Sequence, residues 1–117
     1  MAFKFENLQV WQRALDLTDE VNDLTKNNFP KDELFILTAQ IKRAADSVVL
    51  NIAEGCTGQT NPVFKTFLGY SLRSAIEVVS CLFIARRRKI INEVDFQKLY
   101  NEYETLTKMI TSLRNTL

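Results

Sequence analysis

The stretch SVVLNIAEG, residues 47–55, sets Asn51 and Glu54 three residues apart in an otherwise apolar run that ends in a glycine. A carboxylate near the end of a helix opposes the helix dipole, which favours cations there. Such a placement calls for compensation by a reactive site, a buried polar clamp or a contact with another chain. Glu54 and Glu77 could form a carboxylate pair of the kind used in glycoside hydrolysis. A sugar site also needs a groove lined with aromatics, and nothing in the sequence marks one.

Histidine is absent. That removes the commonest general base and the commonest nitrogen ligand for a metal. It excludes the Glu-x-x-His pairs of di-iron bundles and any nucleophile–histidine dyad. Cys56 and Cys81 lack metal-ligand spacing and read as free thiols of a reducing cytosol. These residues predict no catalytic group, no metal and no cofactor.

Gln40, Arg43, Ser47, Asn51 and Glu54 step by 3, 4, 4 and 3. On a helix they fall within about 80° of one another. Ser74 and Glu77 occupy a comparable flank of the following helix. Together the seven predict a hydrogen-bonded clamp between helices or subunits, with Glu54 reaching the free N–H groups that open the third helix.

Positioning these side chains falls to four segments with helical periodicity. The first covers about 8–26, capped by Asn7, with Leu8, Trp11, Leu15, Thr18, Val21 and Thr25 as its core row. Val10, Leu17 and Leu24 form a second row beside it, so the apolar arc covers about half the helix, against the roughly 100° that one core face needs. The second covers about 33–54, with Asp32 as N-cap, Leu34, Leu37, Ile41, Ala44, Val48 and Ile52 in its core row, and Gly55 as a left-handed stop. The third covers about 62–88, started by Asn61-Pro62, and directs Phe64, Phe67, Leu68, Leu72, Ala75, Val79, Leu82 and Phe83 inward. The fourth covers about 93–115, opened by Asn92 with Asp95. It carries Phe96, Leu99, Tyr103, Leu106, Ile110, Leu113 and Leu117 at helical spacing. Short loops between amphipathic helices predict one all-α domain over 1–117, an antiparallel up-down-up-down four-helix bundle.

The balance of 46% apolar and 25% charged residues is ordinary for a globular domain. No apolar stretch at the N-terminus resembles a signal peptide, and the longest apolar run, VVSCLFIA (78–85), is too short to span a bilayer. A cytoplasmic location, with no membrane partner, is the expectation.

The net charge of +1 conceals an uneven distribution. Residues 62–91 hold six basic groups and one acidic one, a surplus of five, while each remaining quarter is slightly acidic. Cations at a helix C-terminus complement the dipole at about 0.3–1 kcal/mol each. Four in a row, Arg86, Arg87, Arg88 and Lys89, with Lys65 and Arg73 further along, also fit a phosphate-contacting patch for RNA or DNA.

FENLQVWQRA, NNFPKDE, QIKRAADSVVLNIAEG and YSLRSAIE together resemble the four-helix-bundle proteins of 23S rRNA intervening sequences. That family includes the accessory proteins of bacterial diversity-generating retroelements. The resemblance spans nearly the whole chain and implies a homo-oligomeric ring, commonly a pentamer, with a basic surface linked to nucleic acid in the retroelement branch. The label "ribosomal" often given to the family reflects where its genes sit. This chain departs from the pattern in its near-zero charge and in the loop GCTGQTNP, which lacks the arginine often found after the glycine.

The ring accords with an apolar surface larger than one bundle can bury, for which Phe35, Val49 and Ala53 lie off the core row. The leading expectation is a non-enzymatic, self-assembling bundle that contacts RNA or DNA through its third helix. The alternative is a structural or adaptor homo-oligomer with a protein partner and no nucleic-acid role.

Overall fold

The computed structural model describes residues 2–57 and 60–117. Gly58 and Gln59 of the expected loop lie outside the described residues. A 3₁₀ turn (Lys4–Asn7) precedes α1 (Gln9–Asn28), α2 (Ala39–Cys56), α3 (Asn61–Arg87) and α4 (Glu93–Asn115). No strand occurs among the described residues. Each of α1 and α3 packs between α2 and α4, so α1 and α3 are diagonal. The result is an antiparallel four-helix bundle measuring 43 × 23 × 21 Å.

The core comes from one stripe on each helix. On α1 it is Val10, Ala14, Leu17, Val21 and Leu24. The row beginning at Leu8 is therefore the flank: Leu8 and Trp11 only edge the core, and Leu15 is 42% exposed. On α2 it is Ile41, Ala44, Ala45, Val48, Val49 and Ile52, with Leu37 just before the helix, so Val49 belongs to the core. On α4 it is Phe96, Leu99, Tyr103, Leu106 and Ile110. On α3, Phe83 stays 45% exposed against Phe96 and Tyr100, while Val78, Cys81 and Ala85 are buried.

Helix ends depart from the sequence reading in instructive ways. Leu8, not Asn7, stands at the N-cap of α1 without a side-chain bond. Asn7 is used up in the preceding turn, which Gln12 holds by donating Nε2 to the Glu6 carbonyl at 2.7 Å. Asp32 caps nothing, lying within a 3₁₀ turn (Lys31–Glu33). A π-helical turn (Leu34–Thr38) then widens the coil. One extra residue per turn rotates the chain by about 100°. The core row consequently stops at Leu37, and Leu34, Phe35 and Ile36 are 50%, 89% and 64% exposed.

At α3 the cap is Thr60, whose hydroxyl accepts from Val63 N–H at 3.4 Å, one residue before the expected Asn61. Asn92 Oδ1 accepts from Asp95 N–H at 2.7 Å as expected for α4. Lys89, at φ 60°, occupies the left-handed position that ends α3. Its N–H reaches the Arg86 carbonyl and that of Ile90 reaches Ala85, at 3.0 and 2.8 Å. This pair of bonds is a Schellman stop, usually built on glycine.

Gly55 is not a stop. It lies inside α2, buried, where a Cβ would come within 2.6 Å of Phe67 Cβ and 3.0 Å of Phe64 Cδ1. The glycine lets α2 and α3 approach backbone to backbone. Alanine in an unobstructed helix interior gains about 0.5–1 kcal/mol over glycine, whereas overpacking costs about 1–3 kcal/mol. Gly55→Ala is therefore expected to lose about 1–2 kcal/mol in denaturant unfolding; a gain in stability would show that the contact relaxes freely.

Candidate interaction surfaces

Hydrogen bonds tie α2 to α3 in three places, two of them on the polar stripe. Gln40 Nε2 donates to Glu77 Oε2 at 2.6 Å, and Ser74 Oγ donates to Ser47 Oγ at 2.9 Å. Asn51 Nδ2 donates to both the Ser47 carbonyl and its hydroxyl, at 2.9 and 3.0 Å, and so fixes the serine that Ser74 reaches. The third tie is buried: Ser71 Oγ donates to the Val48 carbonyl at 2.9 Å. Sequence reasoning passed over Ser71, although a serine in step with Leu68, Ala75 and Val78 was the available signal.

Arg43 and Glu54 stay outside this seam. Both are exposed on the outer side of α2, beside Leu50, itself 59% exposed. Glu54 does not reach the start of α3; its carbonyl accepts from Thr57 Oγ1 at 2.9 Å. Nor do Glu54 and Glu77 form a carboxylate pair. Glu77 meets α2 at Gln40, and fourteen residues of helix, about 21 Å, separate Gln40 from Glu54.

The six cations singled out on the third helix are not one patch. Lys65 and Arg86 stand 21 residues apart on α3, about 30 Å. Arg86 pairs with Glu93 at 3.1 Å and lies 3.8 Å above the Phe96 ring. Arg88 pairs with Glu33 at 3.2 Å, tying the end of α3 to the 3₁₀ turn that precedes α2. Lys65, Arg73, Arg87 and Lys89 have no ion pair among the described residues. At the far end, Arg114 Nε donates to the Lys65 carbonyl at 3.1 Å and adds a cation there that sequence spacing did not flag.

Titratable groups elsewhere are inert or structural. Burial pushes both thiols up, Cys81 to about 11 with help from the Glu77 charge, so neither is a thiolate at neutral pH. Between α1 and α4, burial first and then the neighbouring Glu20 carboxylate raise the Glu102 carboxyl, against Arg13 and Lys98. Tyr103 beneath them is raised chiefly by burial, and its hydroxyl has no partner among the described residues.

The model of the 23S rRNA-intervening sequence protein matches residues 6–112. The chain belongs to that family. Among solved structures it is similar to a protein of unknown function from the S23 ribosomal protein family of Bacteroides thetaiotaomicron VPI-5482. The two share 23% identity and superpose with a TM-score of 0.82, over 90% of this chain and 97% of the other. At that identity the likeness shows the fold. No curated protein matches the chain.

α3 of this 23S rRNA-intervening sequence family member is also long and apolar enough, by composition, to cross a membrane, with a window of mean hydropathy 1.5. The short run 78–85 understated it. Only 33% of that window is buried in the bundle, so α3 carries surplus apolar area on its outer side, notably Ile76 at 65% exposure.

The seam makes a graded prediction. Ser74→Ala removes a part-buried hydrogen bond and is expected to cost about 1 kcal/mol. The Glu54 side chain has no hydrogen bond or ion pair among the described residues, so Glu54→Ala should stay within about 0.5 kcal/mol of the parent. Equal losses in thermal unfolding would place Glu54 back in the clamp.

Proposed function

We propose that this member of the 23S rRNA-intervening sequence family is a non-enzymatic, self-assembling helical scaffold. The observation that carries the reading is apolar surface left outside a completed core. Phe35, Ile36, Leu50 and Ile76 are 89%, 64%, 59% and 65% exposed. They lie on the π turn and on the outer faces of α2 and α3, where large apolar side chains left in water are the area a second copy would cover. A homo-oligomer supplies the cover, and a ring of five is the number the family resemblance implies.

A phosphate contact through α3 is the second reading. It would fall to Arg87 and Lys89, because Arg86 and Arg88 are engaged by Glu93 and Glu33. Arg87 and Lys89, without an ion pair among the described residues, make a small electrostatic footprint, since each phosphate contact contributes about one unit of salt dependence. Assembly without nucleic acid is therefore favoured.

Mass in solution tests the proposal. Nuclease-treated protein is expected to run as a multiple of one chain by light scattering, and Ile76→Asp to shift it toward one chain while keeping its helical content. A parent that stays monomeric across concentration overturns the scaffold reading. If assembly instead disappears on nuclease treatment, nucleic acid is the organising partner.

A further inference from the structure

Of the four contacts between neighbouring helices, that between α1 and α4 is the lightest. A groove opens along it at each end, one beside Leu8, Val10, Met109 and Leu113, the other beside Asp23, Asn27 and Asp95. Between the grooves stands a cluster of four charged side chains. Arg13 of α1 approaches Glu102 of α4 at 4.0 Å, and Lys98 of α4 approaches Glu20 of α1 at 3.5 Å.

The two carboxyls are not equally served. Glu102 Oε2 is shut off from solvent and has no hydrogen-bond partner among the described residues. At 4.0 Å, Arg13 is too distant to donate to it. Next to Glu102 in the chain, Tyr103 is only 1% exposed and has a hydroxyl equally without a partner among the described residues. A carboxylate oxygen in such a place is costly to keep charged, because neither water nor a donor replaces the lost hydration. The Glu20 carboxylate beside it adds repulsion. One proton relieves both: a protonated Glu102 donates to Glu20, whose charge Lys98 balances.

We propose that Glu20 and Glu102 share one proton across the α1–α4 seam and that its loss loosens the seam, making an acid-closed latch between the two grooves. Burial first, and then Glu20, hold the Glu102 carboxyl above the ordinary glutamate range, while Arg13 and Lys98 oppose them. Among the described residues no charge of α2 or α3 acts on Glu102, and Asp46 of α2 bears instead on Tyr103. The folded chain therefore binds this proton more tightly than the unfolded chain. Its stabilising contribution is full below the ordinary carboxylate range and is lost as pH rises through the raised value. A simple ion pair behaves in the opposite sense and loses its contribution in acid.

Thermal unfolding of Glu102→Gln against pH separates the two. Glutamine keeps the shape and the donor but has no proton to lose. At neutral pH the variant is expected to melt about 3–6 °C above the parent. The gap should close as pH falls to about 4, in the ordinary carboxylate range. Glu20→Gln removes only the repulsion, so it should raise the midpoint by less and add nothing on top of Glu102→Gln. Native-state hydrogen exchange at neutral pH should slow more in α1 and α4 of the Glu102 variant than in α2 and α3. A Glu102 variant that melts below the parent at neutral pH makes the cluster a simple ion-pair network, and a gap that ignores pH removes the proton. Either result overturns the latch, as does slowing of exchange that is equal in all four helices.

Discussion

The approach of α2 to α3 at Gly55 is the constraint on which the rest of the bundle depends. With Phe67 Cβ standing where a side chain on residue 55 would begin, the two helices are nearer than any residue larger than glycine allows there. That distance lets the Ser71 hydroxyl reach a backbone carbonyl on α2, and the Ser47 and Ser74 hydroxyls touch. Short polar side chains can bridge helices only when the helices are this close. A wider spacing would strand Ser71 as a buried, unpaired hydroxyl, at about 1–3 kcal/mol. The seam therefore fixes both rotation and register of the pair, and α1 and α4 pack on the surface that pair presents.

α3 then carries unequal faces. Its inner side is apolar, its flank toward α2 is hydrogen-bonded through Ser74 and Glu77, and its outer side combines Ile76 and Ile84 with Arg73 and Arg87, which have no ion pair among the described residues. Diagonal placement sends that outer side away from α1. The cation run at the end of α3 is divided. Arg86 and Arg88 hold the bundle end together through Glu93 and Glu33, and Lys89 supplies the left-handed residue that stops the helix.

Much of this was legible in residue spacing. The fourth helix carries its apolar residues at unbroken three- and four-residue steps, and all of those from Phe96 to Ile110 are buried. The Asn92–Asp95 cap and the existence of all four helices followed from the same local signals. On α1 two apolar rows were visible, but the row from Val10 faces inward, and nothing local distinguishes one row from the other. On α2 the π turn could not be anticipated, since it arises from how the chain enters the bundle, and it alone turned Leu34 outward. Gly55 followed by a loop reads as a helix stop, because a sequence does not show that a phenylalanine from another helix will lie against it.

The sequence by itself determined the number of helices, their amphipathic character, the polar stripe on α2 and the concentration of basic charge in one segment. Each is a property of residues within a few turns of one another, and helical periodicity expresses it directly. Only the tertiary structure decided which stripe faces the core, which serines meet across α2 and α3, and which arginines are spent on glutamates. Those outcomes depend on distances between residues far apart in the chain, set by close packing at Gly55 and by the diagonal order of the helices, and no local spacing encodes them.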